Sequence, residues 1–583
     1  MKHSSIPLAQ TVVAHCQAKG ISNIVISPGS RNAPLTISFT ENPFFNCYSI
    51  VDERCAAFFA LGMAQQLRQP VAVVCTSGSA LLNYYPAVTE AFYSQIPLVI
   101  ISADRPSYKI DVGDGQTIRQ DNVYQRHIGY SANLQQDVVH ATNRIKQYRP
   151  EWISKKDILK IQQERQQYND DELNTAINLA TRELLPIHIN VPFEEPLYDF
   201  LEAPSVAPDI NFTESKTSAK IDFDELRNLW SRAKRKMILV GVNFPNTIQQ
   251  ELLDFVGMDE SVLVFSETTS NLHHKNFFNS IDSVIAPIEL LDDKEVLFDD
   301  LRPEILVTFG GLIVSKKIKA FLRQHPPGQH WHVGGVKAND TFFCLDIHLQ
   351  CKPNEFLKEL YIGNPKIESD YFPSWDKVKQ TYRSKRKTYL EKIPFSDFLV
   401  FEQILRSIPD KYQLQLANSS TVRYAQLCEL NPTLRVFCNR GTSGIDGSTS
   451  TAIGASQIGK EPTLLITGDL SFFYDSNALW NNYLRKDFRI IVINNGGGGI
   501  FRILPGKENT DNFETYFETK HELNASGLCE TFNIEYLKAD DTNSLTKILE
   551  SFYEESNTSR ILEIFTPRLK NDKILMDYFH FIS

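Results

Sequence analysis

The sequence predicts an α/β protein built from three doubly wound domains, each on a parallel sheet. Three observations predict this. Short β-branched runs such as Leu464–Thr467 and Ile490–Ile493 end abruptly in polar or Gly-rich turns, as buried parallel strands do. Helix-forming stretches alternate with these runs. The composition also shifts near residue 199 and again near 364, and 583 residues are too many for one core.

The first domain is expected over residues 1–198. A helix over Ala9–Lys19 leads to a strand at Asn23–Ile26 and the turn Ser27-Pro28-Gly29-Ser30-Arg31. Cys47–Val51 ends at Asp52-Glu53-Arg54 before an apolar helix, Ala56–Leu67. Val71–Cys75, Leu98–Ile101 and a closing strand at Ile187–Pro192 complete the sheet. Residues 141–172 interrupt the pattern as an exposed, partly helical excursion. Glu202–Pro208 reads as a linker. The central domain, 199–363, has strand candidates Met237–Val240, Val262–Phe265, Ile305–Phe309 and His330–Val333. It lacks the GxGxxG fingerprint, which weakens a nicotinamide reading. A charged linker near 364–394 leads to the third domain, 395–583, with strands at Gln413–Leu416, Arg435–Cys438, the two runs named above and Arg560–Phe565, and a crossover helix over Asn477–Leu484.

Bulk properties narrow the function classes. The chain carries net charge −10 with no long basic run, so nucleic acid is not an expected partner. No apolar stretch approaches the length of a membrane span. The N-terminus lacks a signal-peptide core, and the nine cysteines are scattered and odd in number; both lead us to expect free thiols in the cytoplasm.

The polar clusters fall at carboxyl ends of strands, where open α/β sheets bind ligands. Asp469, the Asn494-Asn495 pair and the Gly496–Gly499 loop offer one carboxylate, side-chain amides and free carbonyls, an oxygen set suited to Mg²⁺ with a phosphate. The same residues also read as a helix-capping Asp and a Gly-rich turn. Locally, Ser30-Arg31 reads as a helix cap or an anion site, Asp104-Arg105 as a turn ion pair, and Lys316-Lys317 as solvated or carboxylate-binding.

Asp469 and Asn494-Asn495, 25 to 26 residues apart, resemble the cofactor motif of the thiamine-diphosphate-dependent decarboxylase superfamily, with Leu470 where that motif has Gly. Ile26–Arg31, Asp52–Arg54, Thr76–Ala80, Ser102–Pro106, Gly113–Arg119, His188–Leu197 and Asn439–Gly447 resemble one branch, the 2-succinyl-5-enolpyruvyl-6-hydroxy-3-cyclohexene-1-carboxylate synthases of menaquinone biosynthesis. The resemblance spans nearly the whole chain. It implies the thiamine diphosphate-binding fold, with a pyrimidine-binding first domain and a diphosphate-binding third.

The same resemblance implies a transferase that decarboxylates 2-oxoglutarate and adds the succinyl carbanion equivalent to isochorismate. It assigns thiamine diphosphate with Mg²⁺, Mn²⁺ as a substitute metal, and a homodimer as the minimal unit, with the tetramer left open. Asp469, Asn495 and the Gly497 carbonyl would hold the metal, with Gly468, Leu470 and Ser471 around them. Asn418 and Ser419 would face the diphosphate, Ile445 would wedge beneath the cofactor, and Ile500 and Phe501 would pack on its thiazolium side. Glu53 would meet the aminopyrimidine as the catalytic residue, across a subunit interface. Ser30, Arg31, Arg105, Gln116, Lys316, Lys317, Arg423 and Arg440 would line the substrate pocket. Lys317 stands where the family often has Arg, and Gly115 where it often has Asn. Both substrates are dicarboxylates, which several guanidinium groups would bind in bidentate fashion. The rivals are an acetolactate synthase-like carboligase, a simple 2-oxoacid decarboxylase, and an inactive scaffold relative.

Overall fold

Runs of Val, Ile and Leu with no alternation require cover on both faces, and the long runs of this chain become buried strands of parallel sheets. The computed structural model describes residues 2–153, 157–213, 221–335, 337–362, 367–503 and 510–583. In the first sheet, β1 (Asn23–Ile26), β2 (Asn46–Ser49), β3 (Val71–Cys75), β4 (Leu98–Asp104), β5 (Tyr130–Asn133) and β6 (Ile187–Pro192) lie in the order β2-β1-β3-β4-β6-β5. The central sheet contains β7 (Lys236–Val240), β8 (Val262–Ser266), β9 (Ile305–Phe309), β10 (Gln329–Val333) and β11 (Ile347–Leu349), ordered β8-β7-β9-β10-β11. The third has β12 (Gln413–Leu416), β13 (Arg435–Cys438), β14 (Thr463–Gly468), β15 (Arg489–Asn494), β16 (Glu535–Ala539) and β17 (Arg560–Phe565). Its order, β13-β12-β14-β15-β17-β16, is the same permutation as the first sheet's.

By contact the chain forms two compact units. One comprises Met1–Ser215 with Gly441–Lys460 and Tyr474–Arg485, and the other Lys216–Arg440 with Glu461–Phe473 and Lys486–Ser583. The helix Ser448–Ser456, which follows β13 in sequence, thus belongs with the first sheet. It packs on the helix Glu53–Leu67 so closely that a Cβ on Gly62 would lie 2.0 Å from the Thr451 carbonyl oxygen, and one on Gly454 2.0 Å from that of Phe59.

The structure departs from expectation in four places. The crossover from β14 to β15 is a short helix, Asp469–Tyr474, and a single 3₁₀ turn at Ser476–Leu479, not a helix over 477–484. Asn481 diverts the backbone there: its amide donates to the Ala478 carbonyl (2.5 Å) and its oxygen accepts from Tyr483 N (2.7 Å). The first and third sheets do not close on Ile187–Pro192 and Arg560–Phe565; shorter, partly exposed edge strands, β5 and β16, lie beyond them. The 141–172 excursion is more tightly built than expected. Its second half enters the helix Ile158–Glu183, where Asp170 is buried and lies 2.8 Å from His15 Nε2. Finally, the linker becomes the helix Tyr371–Leu390, with Tyr371 and Trp375 buried. Residues 154–156 of the excursion and 364–366 of the linker lie outside the described residues. No described helix is long and apolar enough to cross a membrane.

Candidate active site

In the third sheet, β14 and β15 are adjacent, so their carboxyl ends deliver Asp469 and the Asn495–Gly499 loop to one place. Asp469 is 3% exposed, and its carboxylate accepts Leu470 N at 2.7 Å and Gly497 N at 3.0 Å. His521 Nε2 lies 3.3 Å from the same carboxylate, which raises the imidazole pKa. Asn495 donates its amide to Asp397 (3.0 Å), a buried carboxyl pushed up to about 6 by desolvation and also bonded by Thr566 Oγ1 at 2.5 Å. The amide nitrogen of Asn495 is thereby committed, and its oxygen is oriented the other way.

The glycine loop is required by backbone geometry. Gly496 and Gly497 have φ of +73° and +146°, and a Cβ on Gly497 would stand 2.7 Å from the Glu518 carbonyl oxygen. That carbonyl accepts Gly498 N at 2.5 Å. Glu518 itself is fully buried between Arg502 (Nε, 2.6 Å) and Arg568 (2.6 Å), a clamp that fixes the far side of the loop. Among the described residues no group of three or more His, Cys, Asp or Glu could hold a cation. One carboxylate, one amide oxygen and one carbonyl fit Mg²⁺ only if ligand oxygens complete the shell, as they do for a metal bound through phosphates. A Cβ on Gly468 would meet nothing within 4 Å, so there is space at the end of β14 next to Asp469 in sequence. The residues present fit a metal–diphosphate group. Leu470, Ile500 and Phe501 are half-buried around the loop, and Ser471 is buried.

The ends of β12 and β13 supply cations. Asn418 gives its amide to the Asn439 carbonyl (2.7 Å) and accepts from Arg440 (2.7 Å). Ser419 sits at φ +66°, and its carbonyl accepts from Arg423 at 3.1 Å. Burial and the nearby Arg440 lower the Arg423 pKa. Lys317 is paired with Glu289, while Lys319 donates to the Ile313 carbonyl at 3.0 Å and has its pKa lowered by burial, against the pull of buried Glu267. Burial pushes Glu267 up to about 7, although Val314 N (2.8 Å) and Ser315 N (2.7 Å) donate to it. Lys316 opens the helix Lys316–Gln324 beside them in sequence.

In the first sheet, Glu53 begins its helix, N-capped by Asp52, and accepts from Asn83 at 3.3 Å. Arg105 bonds Ser77 Oγ and the Gln116 carbonyl, both at 2.7 Å. Desolvation and Arg31 lower its pKa. Arg31 is 7% exposed and reaches the Phe193 carbonyl (3.2 Å) and Glu195 (3.3 Å). Ser30, Gln116 and Ile445 are exposed. The four arginines thus fall into two pairs, Arg31 with Arg105 and Arg423 with Arg440. Asp397, His521, Glu518 and Lys319 were not singled out from sequence, because nothing near them in the chain marks them.

Two family models match the chain: the thiamine pyrophosphate enzyme N-terminal TPP-binding domain over residues 6–128 and its C-terminal counterpart over 418–564. The chain is similar along its whole length to curated proteins called 2-succinyl-5-enolpyruvyl-6-hydroxy-3-cyclohexene-1-carboxylate synthase. The one from Flavobacterium johnsoniae is 53% identical, covering 99% of both chains, and that from Christiangramia forsetii is 53% identical over 100% of both. The chain belongs to this synthase family. A more distant member from Porphyromonas gingivalis keeps 38% identity over 97% of this chain and 96% of its own. The first match takes in the first four strands of one six-stranded sheet and the second match takes in β13 to β16 and most of β17 of the other, so the thiamine pyrophosphate family models fall on the two sheets that share one strand order.

Proposed function

We propose that this chain is a thiamine-diphosphate- and Mg²⁺-dependent transferase that decarboxylates 2-oxoglutarate and joins the succinyl unit to isochorismate by 1,4-addition. The products are CO₂ and the cyclohexene carboxylate for which its relatives are named. The observation that carries this reading is the buried Asp469 carboxylate bonded to Gly497 N across two adjacent strand ends, in a chain of this family. Thiamine diphosphate, when bound, supplies a nucleophilic carbon and a ring that takes up the electrons released as CO₂ leaves. Asp469, the Asn495 oxygen and the Gly497 carbonyl hold the metal, and Asn418 and Ser419 face the diphosphate. Ile445 would support the cofactor, and Ile500 and Phe501 would pack against its thiazolium ring. Glu53 would hold a proton at N1′ of the aminopyrimidine and so activate the cofactor.

The substrate anions are met by Arg31, Arg105, Arg423 and Arg440, with Ser30, Gln116, Lys316 and Lys317. In this reading residues 1–198 bind the pyrimidine, 395–583 the diphosphate, and 199–363 contributes the lysines. The working enzyme is a cytoplasmic homodimer, or a larger homo-oligomer, in which Glu53 of one copy completes the site of another. Incubation with thiamine diphosphate, Mg²⁺, 2-oxoglutarate and isochorismate should yield the adduct, identified by mass. Release of CO₂ with no adduct in the presence of isochorismate would instead support a simple decarboxylase.

A further inference from the structure

A buried carboxylate with no cationic partner among the described residues needs a reason, and Glu90 is 1% exposed. It lies on the helix Tyr85–Ser94 and accepts Gly441 N (2.7 Å), Thr442 N (2.7 Å), Thr442 Oγ1 (2.9 Å) and Ser94 Oγ (2.7 Å). None of these donors is a cation. Two main-chain N–H groups of a segment 351 and 352 residues later in the chain thus converge on one side chain. Glycine is required at 441, since a Cβ there would lie 2.5 Å from the Glu90 carbonyl oxygen and 3.0 Å from its carboxylate. Six residues on, the loop is pinned again. Gly447 has φ +69°, and a Cβ on it would run into the Phe58 ring at 2.2 Å. Between the two anchors Ser443 turns at φ +60°, and Ile445 stands 39% exposed.

We infer that Glu90 is a positioning residue: it anchors the 441–447 loop so that Ile445 is held out at a fixed height to support the bound cofactor. The inference rests on the thiamine reading above. The far anchor is steric, while the Glu90 anchor is a set of charge-assisted hydrogen bonds, each stronger than a neutral one. Glu90→Gln keeps the size of the side chain but presents an NH₂ group to one of the two N–H donors.

The test begins without cofactor. In Glu90→Gln, amide exchange over 441–445 should accelerate about tenfold, the loss of roughly one charge-assisted bond, while 53–67 is unchanged. The same variant should bind thiamine diphosphate with Mg²⁺ about tenfold more weakly, and Glu90→Asp should recover part of both losses. Adding Glu90→Gln to Ile445→Ala should weaken binding little beyond Ile445→Ala alone, because both act through one side chain. Thr442→Val, which leaves the carboxylate in place, should move exchange and affinity the same way by about threefold. Unchanged exchange in Glu90→Gln would overturn the inference. So would faster exchange with native affinity, or a double variant whose penalty is the product of the two singles, since Glu90 would then serve the fold alone. A wild-type chain that takes up no thiamine diphosphate would overturn the functional reading, and this inference with it, whatever the exchange arm reports.

Discussion

The first and third sheets share one strand order, yet their carboxyl ends carry different chemistry. After the first strand stand Ser30 and Arg31 in one and Asn418 and Ser419 in the other. After the second stand Glu53 and Arg440, and after the third Ser77-Gly78 and Asp469. After the fourth come Arg105 and the Asn495–Gly499 loop. Topology fixes where ligands can be met, and the turn residues decide what is met. One sheet offers a carboxylate at a helix start and two arginines, and the other a metal-type oxygen set and two arginines.

The comparison can be broken at its ends, starting with the largest effect. Glu53→Gln should lower kcat by about 10²- to 10⁴-fold with cofactor still bound, the range for loss of a general acid–base group. Near-normal turnover in steady-state kinetics would remove the first sheet from the chemistry. Arg440→Ala should raise KM for 2-oxoglutarate or isochorismate about tenfold at unchanged cofactor affinity. KM values unchanged from wild type for both substrates would remove Arg440 from the pocket.

A third test concerns charge near the second pair. Glu267 has its pKa raised from 4.5 to about 7 by burial. The folded state then binds more protons than the unfolded between those values, so this group's contribution is present below pH 4.5 and lost as pH rises to about 7. Glu267→Gln should therefore flatten the fall in Tm between pH 5 and 7; an unaltered slope would show that the carboxyl is ionised throughout. The smallest effect is expected at Ser419, whose φ and ψ of +66° and −129° nearly match the +88° and −137° of Gly78. A side chain in that region is strained by about 1 kcal/mol or more. Ser419→Gly should raise Tm by about one degree, and a drop would mean that the hydroxyl contributes more than the strain costs.

Much of this was legible in the chain. Most strands announce themselves because burial on both faces favours Val, Ile and Leu. Three edge strands do not: Tyr130–Asn133, Ile347–Leu349 and Glu535–Ala539 are short and partly exposed, so their composition is mixed. Asn481 shows a second limit, since a side chain that bonds its own backbone ends a helix that spacing allows. At the candidate site, Asp469 and the glycine loop were visible as a motif. Asp397 and Glu90 were not, because each matters through a partner far along the chain, and neither was Glu518, whose arginine partners share no motif with it.

The division of labour between the two sheets is tested most directly by calorimetric titration of thiamine diphosphate with Mg²⁺ into cofactor-free wild type, Glu53→Gln and Asp469→Ala. The account predicts that Asp469→Ala abolishes magnesium-dependent binding while Glu53→Gln stays within a few-fold of wild type. Retained binding in Asp469→Ala, or equal loss in both, would contradict it.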